Sequence, residues 1–130
     1  MRVKVIDEWE SVLAGLGAEG KLKPRLSVTR GREYTVYGLS LHEASSVYRA
    51  GILTCQLVSD HGNLIFAPVD IFSVTDGELP DCWRIEIRGG SVLIWPDIFY
   101  REFFFEDLSD GVPECVAAFR HLQSKLESAS

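Results

Sequence analysis

Trp83-Arg84-Ile85-Glu86-Ile87-Arg88-Gly89-Gly90-Ser91-Val92-Leu93-Ile94-Trp95 is the stretch that decides the fold. Apolar and charged residues alternate from Trp83 to Arg88, which is the period of a strand. Gly89-Gly90 then provides a two-residue turn, and Ser91–Trp95 returns as a second strand. This predicts an antiparallel hairpin with one wet face.

Strand chemistry continues upstream. Val69–Val74 alternates cleanly after an interruption at Pro68, and residues 75–81 form a loop. Asp60-His61-Gly62-Asn63 supplies turn residues between a strand at Ile52–Val58 and another at Leu64–Phe66. Ser46–Arg49 reads as a short strand ended by Ala50-Gly51. Tyr34–Leu41, β-branched and aromatic, reads as one continuous strand after the turn-like Arg30-Gly31-Arg32. The middle of the chain is therefore a meander.

Helices flank it. Asp7 caps a segment with Glu10 three residues later, and Trp9, Val12, Leu13 and Leu16 fall on one helical face. Gly15, Gly17 and Gly20 end that helix near Gly17, and Lys21–Arg25 continues as an irregular basic segment. Pro96-Asp97 opens a stretch to Leu108 that we read as helical, although its aromatic density also suits a strand. After the turn at Ser109–Pro113, Cys115, Phe119, Leu122 and Leu126 form the stripe of a final helix, with a frayed tail at 128–130. The expected fold is α+β in one domain, residues 1–130. Its core is a mainly antiparallel, strongly twisted sheet or partly open barrel, with a short N-terminal helix and a C-terminal helix.

Composition agrees with a globular chain. At 130 residues, 46% hydrophobic and 25% charged, it is neither disordered nor collagen-like. A domain this long buries roughly two-thirds of its unfolded surface and can fold without disulfides or a structural metal. Apolar runs are broken well before the ~18 residues of a membrane span, and the N-terminus lacks the apolar core of a secretory signal. A soluble, cytoplasmic protein is expected. Cys55, Cys82 and Cys115 show no CxxC or zinc-finger spacing and are expected to be buried thiols.

Charge is unevenly placed. Residues 1–49 carry 8 Lys/Arg against 6 Asp/Glu, whereas residues 50–130 carry 5 against 13, giving the net charge of -6. An acidic surface repels phosphate backbones and anionic lipid while attracting cationic proteins, so neither nucleic acid nor a membrane is expected as partner. Nucleotide, zincin, serine-hydrolase and calcium-loop motifs are all missing from the sequence. His42-Glu43 and Asp60-His61 are the only imidazole–carboxylate neighbours, and His121 lies on a helix. Nothing in that set builds a catalytic constellation, so no catalytic residue, metal or cofactor is expected.

Two acidic groups look like binding surface instead. Glu102, Glu106, Asp107 and Asp110 are interleaved with Tyr100, Phe103, Phe104 and Phe105 and are followed by Glu114. Carboxylates steer a Lys/Arg-rich protein surface and aromatics anchor it. Most of those aromatics also fit a core whose acids form its solvated face. Asp70, Asp76, Glu78 and Asp81 form the second group, able to extend the same field. The basic run Lys21, Lys23, Arg25, Arg30 and Arg32 has neither interleaved aromatics nor a glycine cradle for phosphate and is expected to balance the acidic half or face water. A rival expectation is a small enzyme or ligand-binding domain with a pocket lined by Trp83, Trp95, Tyr37 and His61.

One resemblance bears on these alternatives. Gly31–Leu39, the Ser59–Gly62 turn, Ile71–Trp83 and Asp107–Glu114 follow the pattern G-x-x-Y-x-V-x-G, then F-x-V-x-D-G-x-x-P-x-x-W, then D-G-x-P-E. Over roughly residues 31–120 the chain resembles small bacterial immunity-type proteins paired with polymorphic or contact-dependent growth inhibition toxins. The resemblance implies a non-catalytic protein that binds and blocks a cognate toxin, often a nuclease with a basic active-site face. It assigns no contact residue; the acidic candidates rest on charge alone.

Overall fold

The computed structural model describes residues 1–17, 25–42 and 47–128. In chain order its elements are β1 (Arg2–Val5), α1 (Trp9–Ala14), β2 (Glu33–Thr35), β3 (Gly38–Leu41), β4 (Leu53–Val58) and β5 (Leu64–Pro68). A 3-10 turn, Val69–Ile71, leads to β6 (Phe72–Asp76), β7 (Trp83–Arg88) and β8 (Ser91–Pro96). A second 3-10 turn, Asp97–Tyr100, precedes α2 (Phe104–Ser109) and α3 (Pro113–Ser128). The fold is α+β, with every strand pairing antiparallel. One sheet has the order β2-β1-β6 and the other β5-β4-β3-β8-β7, and they do not close into a barrel.

The five-stranded sheet is buried on both faces at its centre, because successive side chains enter different cores. Leu39, Cys55, Leu57 and Ala67 share one core with Val3 and Val5 of the small sheet and Leu13 and Leu16 at α1. Leu93 and Trp95 point the other way, into a core with Phe99, Phe104, Cys115, Phe119, Leu122 and Leu126. Hence β4 reads as a nearly continuous buried run rather than an alternating one. The second core is strongly aromatic. Phe99 lies 5.1–6.3 Å, centroid to centroid, from Trp95, Phe104, Phe105 and Phe119.

A buried polar seam crosses that second face. Ser40 Oγ accepts from Gln56 Nε2 at 2.9 Å and Trp95 Nε1 at 2.8 Å, and its carbonyl accepts from Thr54 Oγ1 at 3.2 Å. Gly38 makes room for it. A Cβ there would sit 2.7 Å from Gln56 Oε1 and 2.8 Å from Trp95 Cδ1.

The hairpin, the C-terminal helix and the turn at 60–63 form as expected. The N-terminal helix forms too, but Glu8 rather than Asp7 holds its N-cap position and no side chain caps it, while the helical stretch after Pro96 divides into a 3-10 turn and α2 around the left-handed Phe103. Gly89 takes the positive φ, 57°, that its turn requires. Four further expectations change. Tyr34–Leu41 is two strands in two sheets: the Val36 N–H bonds to Met1 O, while the Tyr37 N–H bonds to Gln56 O. Val36 and Tyr37 are both buried, but in different cores, so periodicity cannot register the crossing. Val69–Ile71 is a turn rather than strand, because here the chain leaves one sheet for the other and buries Ile71 between them. Tyr48 forms an isolated bridge to Gly17 in place of a strand, and Ser46 lies outside the described residues. Finally, β1 is a central strand that short length and one alternation, Val3 and Val5, left unread. Residues 18–24, 43–46 and 129–130, which include the basic Lys21 and Lys23, Glu43 and the end of the tail, also lie outside the described residues.

Candidate functional site

Where the nominated carboxylates fall follows from the two-sheet architecture. Asp70 is exposed on the 3-10 turn before β6, Asp76 ends β6, and Glu78 and Asp81 are exposed in the loop to β7. Glu102 precedes α2, Glu106 and Asp107 occupy its first turn, and Asp110 is its C-cap residue. The first group therefore sits on the small-sheet side and its outgoing loop, the second on the helical layer. Among the described residues, every ion pair engages Asp7, Asp60, Glu86 or Asp97, and none of the eight nominated acids takes part. Asp76 accepts the Glu78 N–H at 3.0 Å, which shapes the loop without neutralising it.

One aromatic of the acidic stretch stands apart. Phe104 is buried, and Phe105 packs on Phe66 and Trp95, so these belong to the core. Phe103 is 65% exposed and adopts a left-handed backbone, φ 60° and ψ 20°, where α2 begins. That conformation is uncommon for a residue bearing a Cβ and costs on the order of 1 kcal/mol or more. The chain thus pays strain to present a phenyl ring to solvent between Glu102 and Glu106.

Catalytic candidates fall out differently. His61 and His121 are exposed, and His42 Nδ1 lies 3.1 Å from Ser91 Oγ where β3 meets β8. That pair lines neither of the clefts described below. No group of three His, Cys, Asp or Glu among the described residues is placed to hold a metal ion. Burial pushes the Cys55 thiol up to about 12, far from a reactive thiolate, and Cys115 is also buried while Cys82 is partly so.

Asp60 does not serve His61 as an acid–base partner. Its Oδ2 accepts from Thr29 Oγ1 at 2.6 Å, and its Oδ1 accepts from Tyr34 OH and Arg32 Nη1, both at 2.7 Å. These bonds tie the β4–β5 turn to the segment entering β2. They lower the Asp60 pKa, chiefly through the Thr29 hydrogen bond, then through Tyr34 and the Arg32 charge. A depressed folded pKa contributes stability that is present above the unfolded value, about 4, and is lost as pH falls through the folded value. Asp60→Asn is accordingly expected to flatten the acid limb of stability against pH below about 4 while leaving the neutral-pH slope unchanged. Urea midpoints across pH 2–6 measure this, and an unaltered acid limb would contradict it.

Two of the surface clefts among the described residues border the helical layer and the Asp60 network. One of about 580 Å³ lies between the β5 hairpin and the α2–α3 layer, lined by Leu64, Phe66, Phe105 and Phe119 with Arg120 and Gln123. The other, about 340 Å³, adjoins the Asp60 network and holds Arg2, Tyr37, Gln123 and Glu127. There Tyr37 OH donates to Glu127 Oε1 at 2.9 Å, and burial followed by that bond raises its pKa. The expected Trp83–Trp95–Tyr37–His61 pocket is not assembled. Trp83 packs against one core, Tyr37 and Trp95 belong to the other, and His61 is exposed in the turn. No helix among the described residues is long and apolar enough to cross a membrane.

Comparison with known protein families, with characterised proteins and with solved structures finds no match to this chain.

Proposed function

We propose that this protein is a non-enzymatic, immunity-type inhibitor that captures a cognate basic toxin domain through the acidic surface around α2. The observation that supports the reading is Phe103, an exposed aromatic held in a costly backbone conformation among carboxylates that no ion pair among the described residues neutralises. Glu102, Glu106, Asp107 and Asp110 raise the encounter rate with a cationic face, and Phe103 fills a pocket on it once docked. Asp70, Asp76, Glu78 and Asp81 extend the negative field from the small-sheet side. If the toxin is a nuclease, these anions occupy the phosphate positions and block its substrate competitively. The inhibitor itself makes and breaks no bond and requires no cofactor, and it acts in the cytoplasm.

The test begins by searching the neighbouring reading frame for a toxin domain, co-purifying it with this chain and following the pair by stopped-flow kinetics; a neighbour that does not bind this chain would count against the proposal. Glu106→Lys with Asp107→Lys is expected to slow association about 10-fold or more at low salt and to flatten its salt dependence. Phe103→Ala is expected to speed dissociation about 30-fold, the effect of an anchor worth about 2 kcal/mol. Both rates unchanged in folded variants would remove this surface from the account.

A further inference from the structure

We propose that β7 pairs edge to edge with β7 of a second copy of this chain, about a two-fold axis at Ile85, joining the two five-stranded sheets into one. Strand β7 ends its sheet, and its pairing with β8 fixes which backbone groups face outward. The two-residue turn makes Arg88 and Ser91 a hydrogen-bonded pair, so Glu86 and Arg84 also bond toward β8. Pro96, which has no N–H, faces Trp83 at a non-bonded position, as this alternation demands. Ile85 and Ile87 therefore aim their N–H and C=O groups away from the sheet. Among the described residues nothing receives them.

The side chains on that edge are equally unfinished. Ile85 is 61% exposed and Ile87 71%, although both alternate as core residues should. From Ile87 an apolar row continues across the sheet through Val92, Leu41 and Leu53, all partly solvent-facing. Soluble proteins usually guard an open edge with Pro, a bulge or an inward charge. Here the charges lie on the opposite face and are held there. Arg84 and Arg88 lie over the Tyr100 ring at 4.8 and 5.5 Å, and Glu86 sits 3.7 Å from Arg84 and 3.0 Å from Arg88.

Charge complementarity names a second copy as the occupant. Residues directly opposite in an antiparallel pair share a face. With Ile85 opposite its own copy, Arg84 meets Glu86 of the other chain twice, and Ile87 meets Trp83 twice on the apolar face; the new backbone bonds are those of the Ile85 pair and of each Ile87 N–H to Trp83 O, since the Trp83 N–H is already bonded to Pro80 O at 3.1 Å. Centring the axis on Glu86 would instead oppose Glu86 to itself and Arg84 to Arg88. Centring it on Ile87 would leave Ile85 facing Gly89. Only the register at Ile85 satisfies the charges and covers both isoleucines, and its two-fold symmetry closes after two copies.

Sedimentation equilibrium of the full chain tests this. A concentration-dependent rise toward twice the 14.6 kDa monomer mass is expected, and Ile85→Lys should abolish it. Arg84→Glu alone sets Glu against Glu, and Glu86→Arg alone sets Arg against Arg, so each is expected to weaken self-association at least about 10-fold, roughly 1.4 kcal/mol. Mixed together, the two variants regain both ion pairs and should form a heterodimer. Both substitutions lie on the surface, and circular dichroism confirms that each variant folds. A wild-type chain that stays monomeric up to about 1 mM, single variants that associate as the wild type does, or a mixture that fails to associate would each overturn the proposal.

Discussion

Phe99→Ala is expected to lower the unfolding free energy by about 3–5 kcal/mol, the range for deleting a buried phenyl group. Phe99 is essentially inaccessible and packs against rings contributed by β8, α2 and α3. Its removal leaves a cavity bordered by other rigid rings, which collapse poorly into the space, so the upper part of that range applies. Against a typical domain stability of about 5–15 kcal/mol this is a large fraction. The consequence reaches function, because Phe104, the first residue of α2, stands on Phe99 while Phe103 beside it faces solvent. A folded Phe99→Ala chain should therefore hold the acidic surface less rigidly and release a bound partner faster. Urea denaturation measures the stability loss as a lower midpoint at unchanged slope. A loss below about 1 kcal/mol would mean that the aromatic cluster is not close-packed.

Ser40→Ala is the second large effect, expected at about 2–4 kcal/mol although only one oxygen is removed. That oxygen accepts from both Gln56 Nε2 and Trp95 Nε1 inside the sheet, where Ser40 and Gln56 are fully buried. Two donors would lose their acceptor with no water to replace it, and each stranded donor costs about 1–3 kcal/mol. Ser40→Thr separates polar loss from packing. It keeps the acceptor but adds a methyl group beside the crowded Gly38 position. Thermal or urea unfolding with near-ultraviolet dichroism of Trp95 reads both variants. Wild-type stability for Ser40→Ala would show that the seam is not a connected network.

Parts of this protein were open to a reading of residues alone. Alternation from Trp83 to Trp95 around Gly89-Gly90 predicts the hairpin, and the spacing of Cys115, Phe119, Leu122 and Leu126 predicts α3, because both are local periodicities. Asp60 shows the opposite case. Next to His61 it reads as half of an acid–base pair, yet its partners are Thr29, Arg32 and Tyr34, which only folding brings to it. Phe103 was one of four interleaved aromatics, and no pattern distinguished it from Phe104. Its exposure accompanies a left-handed backbone at the start of α2, which no side-chain pattern records. Even the hairpin misled in one respect, since its apolar alternation implied a covered face and Ile85 and Ile87 are open.

By itself the amino-acid order determined the α+β class, the hairpins and turns, the terminal helix and the lopsided charge, since each depends on neighbours within a few positions. Tertiary structure alone decided that Tyr34–Leu41 divides between two sheets, that the nominated acids escape ion pairs among the described residues, and which apolar side chains are left uncovered. Those outcomes depend on which distant elements arrive at a given face, and local periodicity records only that a side chain is apolar, not what will come to cover it.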